Sequence, residues 1–126
     1  MDKNVRGLRI AYWAGAIADA VAAVMMFLPE LGAAVYGRAD LIPSNDYRYA
    51  MGLGGSLMLG WTMLLLWADR KPMERRGVLL LTVFPVIVGL ALAGVYAVVS
   101  DLVPFTRMIP TWVVQGALAS LMLFSY

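Results

Sequence analysis

Four stretches of the chain are each about twenty residues long, strongly apolar and poor in charge. They run from about Leu8 to Leu28, from Tyr47 to Trp67, from Val78 to Val99, and from a start between Phe105 and Thr111 to Tyr126. A helix of about 20 apolar residues crosses some 30 Å of hydrocarbon. The alternating pattern of a closed β-barrel, the other way to satisfy a backbone in lipid, is absent. Composition agrees: 126 residues, 62% hydrophobic and 14% charged, against about 45–50% and 25% in soluble domains. So small a body cannot bury that much apolar surface internally. The expectation is an all-α integral membrane four-helix bundle in one domain, residues 1–126.

Local chemistry marks the ends of the spans. Pro29 disfavours helix at Leu28 and can itself open a helical turn. The stretch "PELGAAVYG" therefore predicts a short interfacial helix after the first span, stopped by Gly37. Ser44 in "IPSNDYRY" suits an N-cap, and Asp46 suits the positive end of the helix that follows. "ADRKPMERRG" reads as a polar turn. "SDLVPFTRMIP", with Pro104 and Pro110, separates the third and fourth spans.

Lysine and arginine set orientation. Lys3, Arg6 and Arg9 precede the first span, and Arg70, Lys71, Arg75 and Arg76 fill the second loop. With four spans these seven share one side, against Arg38, Arg48 and Arg107 on the other. Both termini are therefore expected in the cytoplasm. The first apolar run exceeds the h-region of a secretory signal, so it reads as a retained span. Trp67, Trp112, Tyr47 and Tyr49 fall near span ends, where amphipathic aromatics anchor.

Helices in lipid associate through small residues and interhelical hydrogen bonds. On the first span, helical spacing puts Asp19 on one face with Tyr12, Gly15, Ala16, Ala22, Ala23 and Met26. Ile17, Val21, Val24 and Leu28 form the opposite face. The second span offers Gly52, Ser56 and Gly60. The third aligns Thr82, Pro85, Gly89, Ala93 and Tyr96, and the fourth Thr111, Gln115, Ala119 and Met122. Pro85 removes one hydrogen bond and leaves the carbonyl near Leu81 underused, unless a neighbour such as Thr82 supplies a partner.

Asp19 is the strongest functional clue. An ionised aspartate at the bilayer centre costs about 2.5–3.5 kcal/mol on insertion scales. No basic residue lies at comparable depth in the other spans, so the expected state is a neutral acid, sheltered by other helices and bonded to neutral groups. Tyr12, Thr82, Tyr96 and Gln115 are the candidate partners, and with Asp19 they make up the candidate ligand-binding set. On the far side, Glu30, Asp46 and Arg48 suggest a structural salt bridge. The basic loop also suits anionic lipid headgroups.

Absent histidine and cysteine exclude Cys/His zinc sites and Ser-His or Cys-His nucleophiles. No cofactor and no enzymatic activity are expected, and no basic face points to nucleic acid. Membrane lipids are expected partners. Self-association through outward glycines such as Gly54 or Gly94 is also expected. The leading reading is a membrane protein that holds a hydrophobic small molecule among these polar groups, or an accessory subunit of a larger complex. The alternative is a dimeric proton-coupled transporter using Asp19. In length, span count and an acid in the first helix the chain resembles the small multidrug resistance transporters, whose motifs in helices three and four it lacks. The seven-to-three charge bias disfavours an antiparallel dimer of that kind. "LPELGAAVYG" followed by "YRYAMGLGGSLMLGWTMLLLWADRKP", within residues 28–72, resembles the DoxX-like and related four-span proteins of prokaryotic membranes. That resemblance implies a four-helix fold in the inner or plasma membrane and an accessory role near membrane redox complexes, with no catalytic residue carried over.

Overall fold

The computed structural model describes residues 3–38, 40 and 42–126. Among them the regular structure is helical: α1 (Lys3–Phe27), α2 (Pro29–Val35), α3 (Asn45–Asp69), α4 (Gly77–Leu81), α5 (Val88–Val99) and α6 (Phe105–Ser125). A wide turn, Thr82–Ile87, joins α4 to α5. Four helical units are long and apolar enough to cross a membrane: α1, α3, the Gly77–Val99 unit and α6.

The ends form as local chemistry dictates. The Tyr47 amide donates to Ser44 Oγ at 3.2 Å and caps α3. Pro29 opens α2, where its missing N–H costs nothing. Gly37 ends α2 at φ +77°; the Gly37 amide donates to Ala34 O and the Arg38 amide to Ala33 O, a Schellman cap. The same geometry closes α5. There Asp101 takes the left-handed position at φ 61°, Asp101 N–H reaches Val98 O, and Leu102 N–H reaches Ala97 O. Aspartate tolerates this conformation better than most residues. α6 begins at Phe105, the early end of the expected range, and carries Pro110 within it.

Pro85 does more than kink its span. Phe84 adopts φ −121°, ψ 110°, the extended conformation favoured before proline. The helix therefore breaks, and α5 leaves on a new phase. The Phe84–Pro85 peptide is cis. The expected stripe does not survive this: Thr82 is buried, but Pro85, Gly89, Ala93 and Tyr96 are exposed. Beyond the break, Ile87 and Gly94 turn inward instead.

α1 packs most extensively on α3 and then on α6. A Cβ on Gly15 would fall 2.5 Å from Met122 Cε and 3.1 Å from Leu65 Cδ1, so three helices meet closely there. The face of α1 expected to be inward is inward. Leu8, Ala11, Tyr12, Gly15, Ala16, Asp19 and Ala23 are buried, while Ile17, Val21, Val24 and Leu28 are about half exposed. α3 is rotated from its expected setting. Its buried residues are Gly55, Met58, Thr62, Leu65, Ala68 and Asp69. A side chain at Gly52 or Gly60 would meet nothing within 4 Å, and Ser56 is exposed. Gly54 and Gly94, expected to face outward, instead make close contacts within the chain, against Met26 and against Trp112 and Met108.

The solid core is lopsided. Leu8, Tyr12, Leu65, Leu79, Val83 and Met122 pack together toward the end that holds both chain termini. That end is also pinned by polar contacts. Arg9 Nε and a second guanidinium nitrogen donate to the two Asp69 oxygens at 3.0 and 3.2 Å, and Trp13 Nε1 donates to Asp69 Oδ2 at 3.2 Å. Tyr12 Oη donates to Pro72 O, and the Arg76 guanidinium lies over the Tyr126 ring. The start of α1, the basic loop and the end of α6 are thus gathered at one end. At the opposite end Glu30 pairs with Arg48, as its sequence position suggested. Hydrogen bonding from Arg48 holds the Glu30 carboxyl below the usual carboxylate range. The contribution of this pair is lost as pH falls through that lowered value. It is small in any case, because both side chains are exposed.

Candidate functional site

Away from the solid core the bundle is hollow. A cavity of about 530 Å³ lies between α1, α2, α3, α5 and α6, within the roughly 300–1,000 Å³ typical of small-molecule sites. α4 touches both α3 and α6, and α5 packs on α6. The space left between α3 and α5 is backed by α1 and roofed by α2.

Most of the wall is apolar, with Met25, Met26, Met51 and Met58 giving it a deformable, polarizable lining. The polar lining residues are Gln115, Tyr36, Thr111, Tyr47 and Arg38. Gln115 projects from α6. Tyr36 and Thr111 line the wall with their hydroxyls 3.0 Å apart. Arg38, just past the α2 cap, is the one charged residue among the described lining.

Asp19 lies below this cavity. Gly15 opposes Leu65 and Met122, and helices rise 1.5 Å per residue. Counting along antiparallel neighbours places Asp19 level with Trp61 and Thr62 on α3. Ala22, one turn further along α1, is level with Met58 and Gln115, and all three line the cavity. Asp19 is 8% exposed, and its Oδ2 is buried without a hydrogen-bond partner. Gln115 Oε1 is in the same condition. The ion pairs among the described residues join Arg9 to Asp69, Arg48 to Glu30 and Lys71 to Glu74; none reaches Asp19.

The candidate set from the sequence is therefore only partly brought together. Asp19 and Gln115 lie about one turn apart in depth, on facing helices, and share the condition of unmet acceptors. Tyr12 is fully buried, but its hydroxyl is spent on Pro72 O at the terminal end. Thr82 donates to Val78 O at 2.7 Å and accepts from Trp61 Nε1 at 2.9 Å, so it bonds within its own helix and to α3 rather than to Asp19. Tyr96 is 70% exposed, turned out by the phase change at Pro85. Thr62 likewise donates to its own helix at Met58 O. The polar groups at the depth of Asp19 thus satisfy one another and leave the carboxyl aside.

Sequence reasoning missed two participants at the site and one clamp away from it. Arg38 and Tyr36 come from the segment around the α2 cap, and only the return of that segment over the bundle reveals them. Asp69, outside the cavity at the opposite end, was absorbed into a polar turn, and only the assembled helices reveal its pairing with Arg9. Among the described residues no three His, Cys, Asp or Glu side chains cluster as a metal site would require.

The fold and site define an all-helical protein with four membrane-length helices and an apolar internal cavity. Comparison with protein-family models, curated proteins and solved structures finds no match to this chain.

Proposed function

We propose that this is a multi-pass membrane protein that holds a hydrophobic small molecule in the cavity beneath α2. The observation that carries the reading is the cavity itself: mostly apolar walls with a few polar side chains, the pattern of a small-molecule site. In this reading the half-exposed apolar side chains of α1 face acyl chains, and α2 lies at the interface. The seven-cation end, which also holds both termini, faces the cytoplasm of a prokaryotic cell. The DoxX-like resemblance of residues 28–72 is compatible with such a carrier serving a larger membrane complex.

Native mass spectrometry of protein released from lipid nanodiscs tests the binding. One apolar molecule per chain is expected to stay bound. Ala97→Phe, which fills the wall on the α5 side, is expected to abolish retention while leaving the helical spectrum intact. Equal retention by both proteins would remove the reading.

Asp19 supports a second reading, a proton-coupled exporter, because an unpaired acid sheltered among spans is the usual chemistry of a proton relay. Flux of a lipophilic cation from proteoliposomes under a pH gradient should then disappear in Asp19→Asn. Flux of the same size in both forms, or none in either, would eliminate it.

A further inference from the structure

We infer that the occupant is a single-chain amphiphile with an anionic head, placed with its head at Arg38 and its tail running inward past Met58 toward Gln115; this rests on the cavity-binding reading above. The charged and hydroxyl-bearing lining residues, Arg38, Tyr36, Tyr47 and Thr111, come from the α2 cap and the starts of α3 and α6, and Gln115 is the one polar side chain among the described lining further in. Arg38 is the only charged residue among its described lining. A second cation lies close by: a Cβ on Gly37, the residue before Arg38, would meet Arg107 Nε at 3.4 Å, so the Arg107 side chain lies across the α2 cap.

Among the described residues neither guanidinium makes an ion pair. Of the acidic residues at this end, Glu30 is taken by Arg48. Asp40, Asp46 and Asp101 make no ion pair among the described residues, and none of them lines the cavity. Two forked donors beside the mouth match a carboxylate or a phosphate, which guanidinium groups bind bidentately. The Tyr36–Thr111 hydroxyl pair adds further hydrogen-bonding groups just inside. A cationic head would meet like charge at the same place. Further in, methionine side chains can adapt to a flexible chain without a fixed shape.

The test uses the full chain in nanodiscs of neutral phosphatidylcholine and three probes with the same sixteen-carbon chain: palmitate, palmitoyl lysophosphatidic acid and hexadecanol. Binding is followed by native mass spectrometry and by competition against a fluorescent fatty acid. One or both anionic probes should bind about tenfold more tightly than the alcohol, the scale of one charge-assisted hydrogen bond. Whether the carboxylate, the phosphate or both show the gain identifies the head. Arg38→Gln should remove the preference and Arg38→Lys should restore part of it. Alcohol binding as tight as the acids, or a preference that survives both Arg38→Gln and Arg107→Gln, overturns the anionic head while leaving the cavity reading in place. Failure of all three probes to bind, or binding undiminished in Ala97→Phe, brings down the cavity reading itself.

Discussion

Replacing Asp69 by alanine is expected to lower the unfolding free energy by about 2–3 kcal/mol. Its carboxylate accepts three hydrogen bonds, two from Arg9 and one from Trp13. Its side chain is 9% exposed, whereas that of Arg9 is 46% exposed. This asymmetry sets the size of the effect. A fully buried pair broken on one side costs about 3–5 kcal/mol, because the surviving charge is stranded. Arg9 can instead turn to water, so the loss falls below that range. For the same reason Arg9→Ala should cost at least as much, since it strands the sheltered carboxylate. Equilibrium unfolding in mixed micelles, followed by tryptophan fluorescence, measures both, and the double mutant gives the coupling. A loss under about 0.5 kcal/mol for Asp69→Ala would place this bridge among ordinary surface pairs and remove it as the clamp on the terminal end.

Asp19 should respond in the opposite direction. Asp19→Val is expected to raise the unfolding free energy by about 1–3 kcal/mol, because it replaces an unpartnered buried polar group with an apolar one. The position is 8% exposed and Oδ2 has no partner, so no hydrogen bond is surrendered in exchange. Valine is close enough in volume to avoid a large cavity or serious overpacking. Stabilisation accompanied by loss of ligand retention or flux would identify Asp19 as a group kept for function at a cost in stability. A destabilisation of 1 kcal/mol or more would show that the carboxyl has a partner in the folded protein and stitches the helices together.

The two aspartates show how far a linear reading reaches. Asp19 stands alone in an apolar run, and its neighbours at three- and four-residue spacing are small, so its inward face was legible. Asp69 sits at the boundary of a run and a charged turn, where nothing local distinguishes a clamp from a solvated acid. Its role depends on Arg9, sixty residues away. Helix ends were equally legible where one residue type answers one backbone need: Ser44 at an N-cap, Pro29 at a first turn, Gly37 at φ +77°. Helix faces were not. Gly52, Ser56 and Gly60 form a regular small-residue stripe, yet α3 turns that stripe outward. Asp69 meeting Arg9 at one end, and Gly55 admitting the Phe27 ring at the other, rotate it so. Tyr96 was lost from the expected interior because one helical phase was carried through Pro85, where the backbone breaks it.

The number of membrane-length helices, their approximate limits and the inward face of α1 followed from the residues alone. Those properties depend on i to i+4 hydrogen bonding and on hydropathy, which act within a few residues of one another. The rotation of α3, the phase of α5, the clamp at Asp69 and the hollow under α2 came only with the assembled bundle. Each is decided by which side chain from a distant segment fits against a given face, and rotating a helix about its axis changes those contacts while leaving its own backbone bonds untouched.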